Sequence, residues 1–297
     1  MKAGKVIEGK SMRAEQEMLE LILERARRDD RIRAVILNGS RASASAVHDR
    51  YSDYDVIYVV ERIREFTGDK EWIRYFGDIL IMQLPQDWYS HPYDYTGDDS
   101  FVYLMQFTDG TRIDLTLVDR KHIDELDPQE PRIILLDKDQ DPQLFDVVSE
   151  KAFYIEAPSA KEFADCCNEF WWLSIYVAKG LCRKEFLYAK TYLEHDQMEM
   201  LVKMLRWRIG IEQGSSRILG KYSKYLKRYL PAAEMERFMQ LFPNGDYTEI
   251  WKKLWEVLDF FEETALLVAH SCDYAYDCIA TAQIRHHIYG MEQENKS

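Results

Sequence analysis

Two aspartates one residue apart, Asp53 and Asp55, stand at the start of the extended run 53–60. Side chains two positions apart on a strand project from the same face, so the two carboxylates would converge on one point. That convergence is unfavourable unless a cation neutralises it. Magnesium is such a cation, because one or two carboxylates together with substrate phosphates commonly hold it. A solvated polar strand face is the alternative, and the apolar residues 56–60 that continue the strand argue against it.

A third aspartate, Asp114, lies in a second extended run, 112–117. Its apolar residues occupy alternate positions and form a core face, so Arg112, Asp114 and Thr116 share the other face. If this strand lies beside strand 53–60 in one sheet, three carboxylates form a site able to hold two divalent ions. Such a pair of ions is a known device for in-line displacement at phosphorus.

A glycine and a serine, Gly39 and Ser40, follow a short buried strand predicted at 34–37. A glycine at this point lets the backbone turn sharply and approach a ligand, and the exposed amides and the serine hydroxyl can bind phosphate oxygens. Arg41 would add a positive charge there. An ordinary turn after a strand is the alternative, because a glycine-serine pair alone is weak evidence.

The charge balance favours small cations over polyanions as partners. The chain has 52 acidic and 39 basic residues, a formal net charge of −13. The averaged field repels nucleic acid, so we expect no nucleic-acid partner. Hydrophobic residues make up 46% of the chain and aromatic residues 13%, which is typical of a globular protein and excludes a largely disordered one.

The sequence also bears on location. No apolar run approaches the roughly 18 to 20 residues that span a bilayer, and the first residues lack the apolar centre of an export signal. We therefore expect a cytoplasmic protein that makes no membrane contact. The five cysteines form no C-x-x-C pair, so we interpret them as reduced packing residues.

The first half of the chain is predicted to be a mixed α/β domain. An amphipathic helix is expected at 15–28. The Asp109-Gly110 pair between two extended runs is a strong hairpin signal. The strand candidates are 34–37, 53–60, 79–82, 101–107, 112–118 and 133–136.

Past about residue 150 the pattern becomes helical. Ser159 and Glu162 have the spacing of a capping box, which predicts a helix start. The helix candidates are 159–178, 186–213, 221–229, 232–241 and 247–289 with at least one break. The sequence therefore predicts an α+β fold, with a mixed α/β domain at 1–155 and an all-α domain at 156–297.

The order of these motifs resembles the nucleotidyltransferase fold of the DNA polymerase β superfamily. The glycine-serine turn, the aspartate pair on the next strand and the lone aspartate on a later strand carry that likeness. Motifs in the helical half resemble more closely the bacterial aminoglycoside 6-adenylyltransferases, the streptomycin-modifying enzymes. They are D-C-C-N-E-F-W at 165–171, V-A-K-G-L at 177–181, G-K-Y at 220–222 and K-R-Y-L at 227–230.

The resemblance implies a nucleotidyltransferase domain with a mixed five-stranded sheet, followed by a helical domain that binds substrate and nucleotide. It implies magnesium-dependent transfer of AMP from ATP to a hydroxyl of an aminoglycoside, with release of pyrophosphate and inactivation of the antibiotic. Streptomycin and its 6-hydroxyl are the expected acceptor. Asp53 and Asp55 would hold two magnesium ions. Asp114 would either complete that metal shell or take the proton from the attacking hydroxyl.

Members of the superfamily commonly supply a lysine and a tyrosine from the helical side to the triphosphate. The resemblance therefore makes Lys179, Lys221, Tyr222 and Lys224 candidates for nucleotide binding, together with Gly39, Ser40 and Arg41 in the first domain. A surface lysine with a snorkelling side chain is the alternative at position 179. A solvated basic face is the alternative for the run that begins at position 221.

Streptomycin carries two guanidinium groups and an amine, so its pocket needs carboxylates for pairing and aromatic faces for stacking. Core packing of the tryptophans and simple solvation of the loop acids are the alternatives. The side chains at 165 and 169 share one helical face, and one of them could instead be the general base. The substrate candidates are Asp165, Glu169, Trp171 and Trp172 on the predicted helix, and Tyr95, Asp98 and Asp99 in the loop before strand 101–107.

Two other functions stay open at this point. The same three aspartates would serve a nucleotidyltransferase for another acceptor, such as a lincosamide, another aminoglycoside or a protein hydroxyl. A non-catalytic binding module of the same fold is the second alternative, and the intact aspartates argue against it. A monomer is favoured, and a homodimer is the alternative, because some relatives in the superfamily build their cleft across two chains.

Overall fold

The α+β class is confirmed by the computed structural model, which describes residues 11–87 and 100–296. The chain divides into two compact units, Met1–Ala152 and Phe153–Ser297. Within the described residues, the first unit contains a mixed sheet with helices, and the second unit contains helices and turns.

The sheet has six strands among the described residues, in the order β3-β4-β5-β2-β1-β6. Strands β2 and β5 are parallel, and the other neighbouring pairs are antiparallel. The resemblance implied five strands, whereas the described sheet has six, and each of the six strand candidates from the sequence corresponds to one of them. The strands are β1 (Ile32–Asn38), β2 (Tyr54–Val60), β3 (Ile79–Gln83), β4 (Ser100–Phe107), β5 (Arg112–Asp119) and β6 (Ile133–Asp137).

Hydrophobic packing explains why β1 and β2 lie inside the sheet and not at its edges. Their residues are almost all buried, because apolar side chains project from both faces. Helix α1 (Glu15–Arg28) covers one face and buries Met18, Ile22 and Ala26. The Tyr58 hydroxyl donates to the carbonyl of Ile22 at 2.6 Å, which joins this helix to β2. The strand ends that carry the candidate aspartates are thereby fixed to a packed core.

Two hairpin strands complete the frame around the site. Strand β4 alternates between buried and partly exposed residues throughout, and β5 does so until its last three residues, which are all buried. Such alternation is expected for one core face and one wetter face. Gly110 turns the chain between them with φ of +88°, a conformation that glycine adopts without strain. Asp109 accepts from the amide of Thr111 at 3.0 Å and from Arg13 Nε at 2.6 Å. A short helix, α2 (Arg64–Thr67), follows β2.

The second unit is built around long helices. Phe170 and Phe261 stack in its core with ring centroids 3.6 Å apart. The predicted capping box is confirmed, because Ser159 and Glu162 exchange hydrogen bonds at the start of α3. A π-helical turn, Tyr192–Gln197, joins α4 to α5. The helices are α3 (Ala160–Cys182), α4 (Phe186–Thr191), α5 (Met198–Gln213), α6 (Ala232–Met239), α7 (Tyr247–Cys272) and α8 (Cys278–Lys296).

The helix predicted at 221–229 is wrong. The segment forms two short 3-10 turns, Lys221–Ser223 and Leu226–Arg228. Tyr222 and Ser223 have φ of +54° and +55°, and consecutive left-handed residues cannot continue a right-handed helix.

All five cysteines are free thiols, and four of them are buried or partly buried, which fits a packing role. None of the helices in the described part of the chain combines the length and the apolar character needed to cross a membrane.

Candidate active site

Strand register brings the candidate aspartates together. Asp55 on β2 lies directly opposite Asp114 on the parallel strand β5. Asp53 precedes β2 by one residue, so its side chain has the same alternation as Asp55. On the other side of β2, Asp55 is paired with Asn38, the last residue of β1. Strands β2 and β5 are therefore neighbours in one sheet, as the three-carboxylate site requires.

Arg112 supplies positive charge to this group of carboxylates. Its Nε and Nη2 donate to the two oxygens of Asp114 at 2.7 and 2.8 Å, and its Nε lies 3.5 Å from Asp53 Oδ2. Burial, followed by the charges of Asp114 and Asp53, raises the pKa of Asp55 to about 6. One guanidinium thus faces three carboxylates, and the negative charge is only partly compensated.

The metal site expected from the sequence is not formed by these side-chain positions. Throughout residues 11–87 and 100–296, no three His, Cys, Asp or Glu side chains are arranged to hold a metal ion together. A side-chain cation, Arg112, bridges Asp53 and Asp114 instead. The donor set itself fits a hard divalent cation, because it consists of carboxylate oxygens with uncompensated negative charge.

Gly39 lies against the carboxylate of Asp55. Its φ is +65°, and a Cβ built on it would lie 2.6 Å from Asp55 Cγ and still closer to an oxygen. Only glycine fits a backbone that turns left-handed at this distance from a side chain. The 3-10 turn Gly39–Ala42 therefore begins beside Asp55, and Ser40 is its second residue.

Arg41 makes several contacts within the first unit. Its side chain is only 6% exposed. Its Nε and Nη2 donate to the carbonyls of Asp53 and Ser52 at 3.0 and 2.9 Å, and its guanidinium lies 3.8 Å from the centre of the Tyr54 ring. Its Nη1 also forms an ion pair with Glu15 at 3.1 Å. Arg41 therefore fixes the backbone that carries Asp53, and its proposed contact with phosphate stays a prediction.

A depression of about 380 Å³ opens beside the carboxylates in the first unit. Asp53 and Arg112 are among the residues that line it. The others are Arg41, Gly110, Thr111 and residues of the N-terminal segment and the 49–54 loop. Solvent and small solutes therefore have access to Asp53 and Arg112 from this side.

Sequence patterns did not single out two residues that shape this site. Arg112 was placed on the same strand face as Asp114, and that alternation was the available signal for their ion pair. Glu150 gave no local signal, because it acts across more than 100 positions of sequence. It accepts from Ser43 Oγ and from the amide and hydroxyl of Ser45, and so holds the loop between Gly39 and β2.

The substrate candidates of the second unit lie on α3. Asp165 and Glu169 are exposed, and Asp165 forms an ion pair with Lys161. Trp172 is 55% exposed, whereas Trp171 is 3% exposed and donates from Nε1 to the hydroxyl of Tyr276 at 3.1 Å. The prediction that Trp171 contacts substrate is therefore corrected, because its ring belongs to the helical core.

Trp172 is the first member of an aromatic row that sequence reasoning missed. Its ring meets Tyr176 at a centroid distance of 5.9 Å, Tyr176 meets Tyr192 at 5.2 Å, and Tyr192 meets Tyr188 at 4.7 Å. The spacing of four between 172 and 176 was the signal for the first pair. The last two members come from another helical segment and needed the fold.

The lysines expected at the nucleotide are exposed and lie over aromatic rings. Lys179 Nζ is 5.9 Å from the centre of Tyr176, and Lys224 Nζ is 5.1 Å from that of Tyr225. Lys221 lies 5.5 Å from Tyr222, whose side chain is 92% exposed. A phosphate role for these residues stays a prediction. Three substrate candidates, Tyr95, Asp98 and Asp99, lie outside the described residues.

A mixed sheet that places aspartates of two neighbouring strands beside a glycine turn, followed by a helical unit, is the organisation of a nucleotidyltransferase. Family comparison gives the narrower assignment. The family model described as streptomycin adenylyltransferase matches residues 12–291, nearly the whole chain. The chain therefore belongs to the streptomycin adenylyltransferase family, and it is a nucleotidyltransferase enzyme.

Curated relatives match this chain over most or all of their length. The chain is 37% identical to an aminoglycoside 6-adenylyltransferase of Campylobacter jejuni over 96% of this chain and 100% of the relative. It is 35% identical to an aminoglycoside 6-adenylyltransferase of Bacillus subtilis, over 89% and 93% of the two chains. A crystal structure of an aminoglycoside 6-adenyltransferase from Bacillus subtilis is 33% identical, over 95% of this chain and 99% of that chain, with a TM-score of 0.48.

Proposed function

We propose that this enzyme transfers AMP from ATP to the 6-hydroxyl of streptomycin, with magnesium as the cofactor, and so inactivates the antibiotic. The observation that carries the chemistry is the pairing of Asp55 with Asp114 across parallel strands, next to the Gly39 turn. The relatives are aminoglycoside 6-adenylyltransferases, which supports the acceptor class and the position of the hydroxyl.

The first unit would hold the reacting phosphates. Asp53, Asp55 and Asp114 are the residues that would hold magnesium, which supplies charge stabilisation at the transferred phosphoryl group when it is bound. The Gly39 turn offers backbone amides and the Ser40 hydroxyl to phosphate oxygens. These residues bind and orient the nucleotide, so that an acceptor hydroxyl can attack its α-phosphorus in line with the departing pyrophosphate.

Two residues remain candidates for the proton of the attacking hydroxyl. Asp114 is the candidate from the first unit, where it lies opposite Asp55 across the paired strands. Glu169 is the candidate from the second unit, and it is exposed on α3. A positioned carboxylate of either kind can act as a general base.

The second unit would recognise the cationic acceptor. Asp165, Glu169 and Trp172 project from one side of α3 at spacings of four and three, which places them on one helical face. Carboxylates pair with guanidinium groups, and aromatic rings bind them by cation–π contact. The net charge of −13 also attracts a cationic antibiotic. Lys179, Lys221, Tyr222 and Lys224 are proposed to contact the triphosphate.

The test is pyrophosphate release from ATP and Mg²⁺ with streptomycin, kanamycin and lincomycin in parallel, followed by mass spectrometry of each acceptor. We expect release with streptomycin and a mass gain of one AMP, and NMR of the product should locate it on the 6-hydroxyl. GTP in place of ATP and a sample with excess chelator test the nucleotide and the metal. Modification of another acceptor, or no release with any of them, would overturn the proposed substrate.

A further inference from the structure

Arg112 interacts with two of the three candidate aspartates, Asp114 and Asp53. Its planar fork meets both oxygens of Asp114, the strong bidentate geometry of arginine and carboxylate. The same Nε reaches toward Asp53 at 3.5 Å. Both partners are substantially shielded from water, with Asp114 20% and Asp53 35% exposed. One guanidinium therefore bridges two of the three proposed metal ligands.

The position of Arg112 in the strand allows it to leave. It is the first residue of β5, directly after the Gly110 turn, and its side chain is 39% exposed. It also lines the depression of about 380 Å³ beside Asp53. The guanidinium can rotate toward that space, whereas Asp55 and Asp114 are held opposite each other by the strand register.

A guanidinium and a metal ion compete for the same carboxylate oxygens. When no metal is bound, the positive charge of Arg112 offsets part of the repulsion among the carboxylates of Asp53, Asp55 and Asp114. When a metal binds, the ion replaces that compensation, and Arg112 becomes a second, repelling cation at the site.

We propose that Arg112 is an internal counter-ion of the carboxylate site, which occupies it in the metal-free enzyme and withdraws when the divalent ion binds. Arg112 is thus a positioning residue that sets metal affinity through Asp114 and Asp53. This inference rests on the metal role assigned to the three aspartates in the proposed function.

Removal of Arg112 has two opposite consequences. The metal-free protein loses its compensating charge, and we expect the Tm of Arg112→Met to fall by about 3 °C. The metal no longer has to displace a cation, so we expect Mn²⁺ to bind about tenfold more tightly. Saturating Mn²⁺ should accordingly raise the Tm of Arg112→Met by more than it raises the Tm of the wild-type enzyme.

The experiment titrates the full-length protein with Mn²⁺ alone and measures the unbound ion by its EPR signal. Thermal unfolding with and without Mn²⁺ is measured in parallel. Arg31→Met is the matched control, because Arg31 makes the same bidentate contact with Asp29 at 2.9 and 2.7 Å and has no part in the carboxylate site. It should lose stability without a change in Mn²⁺ affinity.

Arg112→Lys keeps one positive charge but loses the planar fork. We expect it to fold, and to bind Mn²⁺ with an affinity between those of wild type and Arg112→Met. Equal affinities in wild type and both variants, with Mn²⁺ bound in each, would overturn the counter-ion role and leave the proposed metal site standing. Absence of Mn²⁺ binding in all of them would overturn the metal assignment and this inference together.

Discussion

The N-terminal ends of strands β2 and β5 in the first unit and the exposed face of α3 in the second unit hold their candidate residues in different ways. At the strand ends, Asp55 and Asp114 come from distant parts of the chain, and the strand register holds them opposite each other. Gly39 lies against Asp55. On α3, Asp165 and Trp172 come from one helix and project into solvent. Asp55 is packed against Gly39 and the neighbouring strands, whereas the side chains of Asp165 and Trp172 are exposed.

This difference indicates where a substitution should cause a large loss of activity and where it should cause only a small change in KM. A substitution within a group of interacting charges also changes the electrostatic environment of the remaining members. An exposed side chain on a helix contributes its own contact and little else. The predictions below test that contrast from the largest effect to the smallest.

Asp55→Asn should have the largest effect on activity. The substitution keeps the size of the side chain but removes one carboxylate from the proposed metal ligands, and we expect AMP transfer to fall about a thousandfold. Stability should not fall with it, because the amide relieves repulsion from Asp114 and Asp53. The measurement is single-turnover AMP transfer together with thermal unfolding.

Asp124→Asn is the control for the loss of a carboxylate, because Asp124 is exposed elsewhere in the first unit. It should retain full activity. Substantial activity in Asp55→Asn would contradict the assignment of this aspartate as a metal ligand.

Gly39→Ala should come next, with a loss of about a hundredfold in activity. The methyl group would overlap the Asp55 carboxylate and force the turn or the aspartate to move. Gly214→Ala separates this collision from backbone strain, because Gly214 also has positive φ, +97°, but has no atom within 4 Å of the added Cβ. It should lose about 1 kcal/mol of stability and keep its activity. Equal kinetic effects in both variants would remove the special role of the contact with Asp55.

Sequence patterns predict the aspartates well and their charge environment poorly. The D-x-D spacing and the alternation around Asp114 are local patterns, so they can be recognised in the sequence without knowledge of the fold. The ion pair of Arg112 with two carboxylates, and the burial of Arg41 under the 52–53 backbone, depend on rotamers and on contacts across strands. Local periodicity also cannot show which of Trp171 and Trp172 is buried. The two residues are adjacent on one helix, and either could belong to its apolar face.

Trp172→Ala should act on acceptor binding alone. Because the ring is 55% exposed, we expect the Tm to stay within about 1 °C of wild type. Loss of an aromatic face for a guanidinium should raise the KM for streptomycin about fivefold, with kcat nearly unchanged. Trp172→Phe should recover most of the affinity. Ile279→Ala, at a residue that is 74% exposed on α8, is the control for removal of a large apolar side chain, and an equal rise in KM there would contradict the assignment.

The smallest effect is expected at the exposed ion pair of Asp165 and Lys161, one helical turn apart on α3. Such a pair contributes little to stability, so neither Asp165→Asn nor Lys161→Met should shift the Tm by more than about 1 °C. Their kinetic effects should differ. Asp165→Asn removes a carboxylate from the acceptor and should raise the KM for streptomycin about threefold, less so at high salt. Lys161→Met breaks the same ion pair but leaves that carboxylate free for the cationic acceptor, so KM should stay constant or fall. A rise in KM in both variants would mean that the intact ion pair, and not the charge of Asp165, is what the acceptor requires.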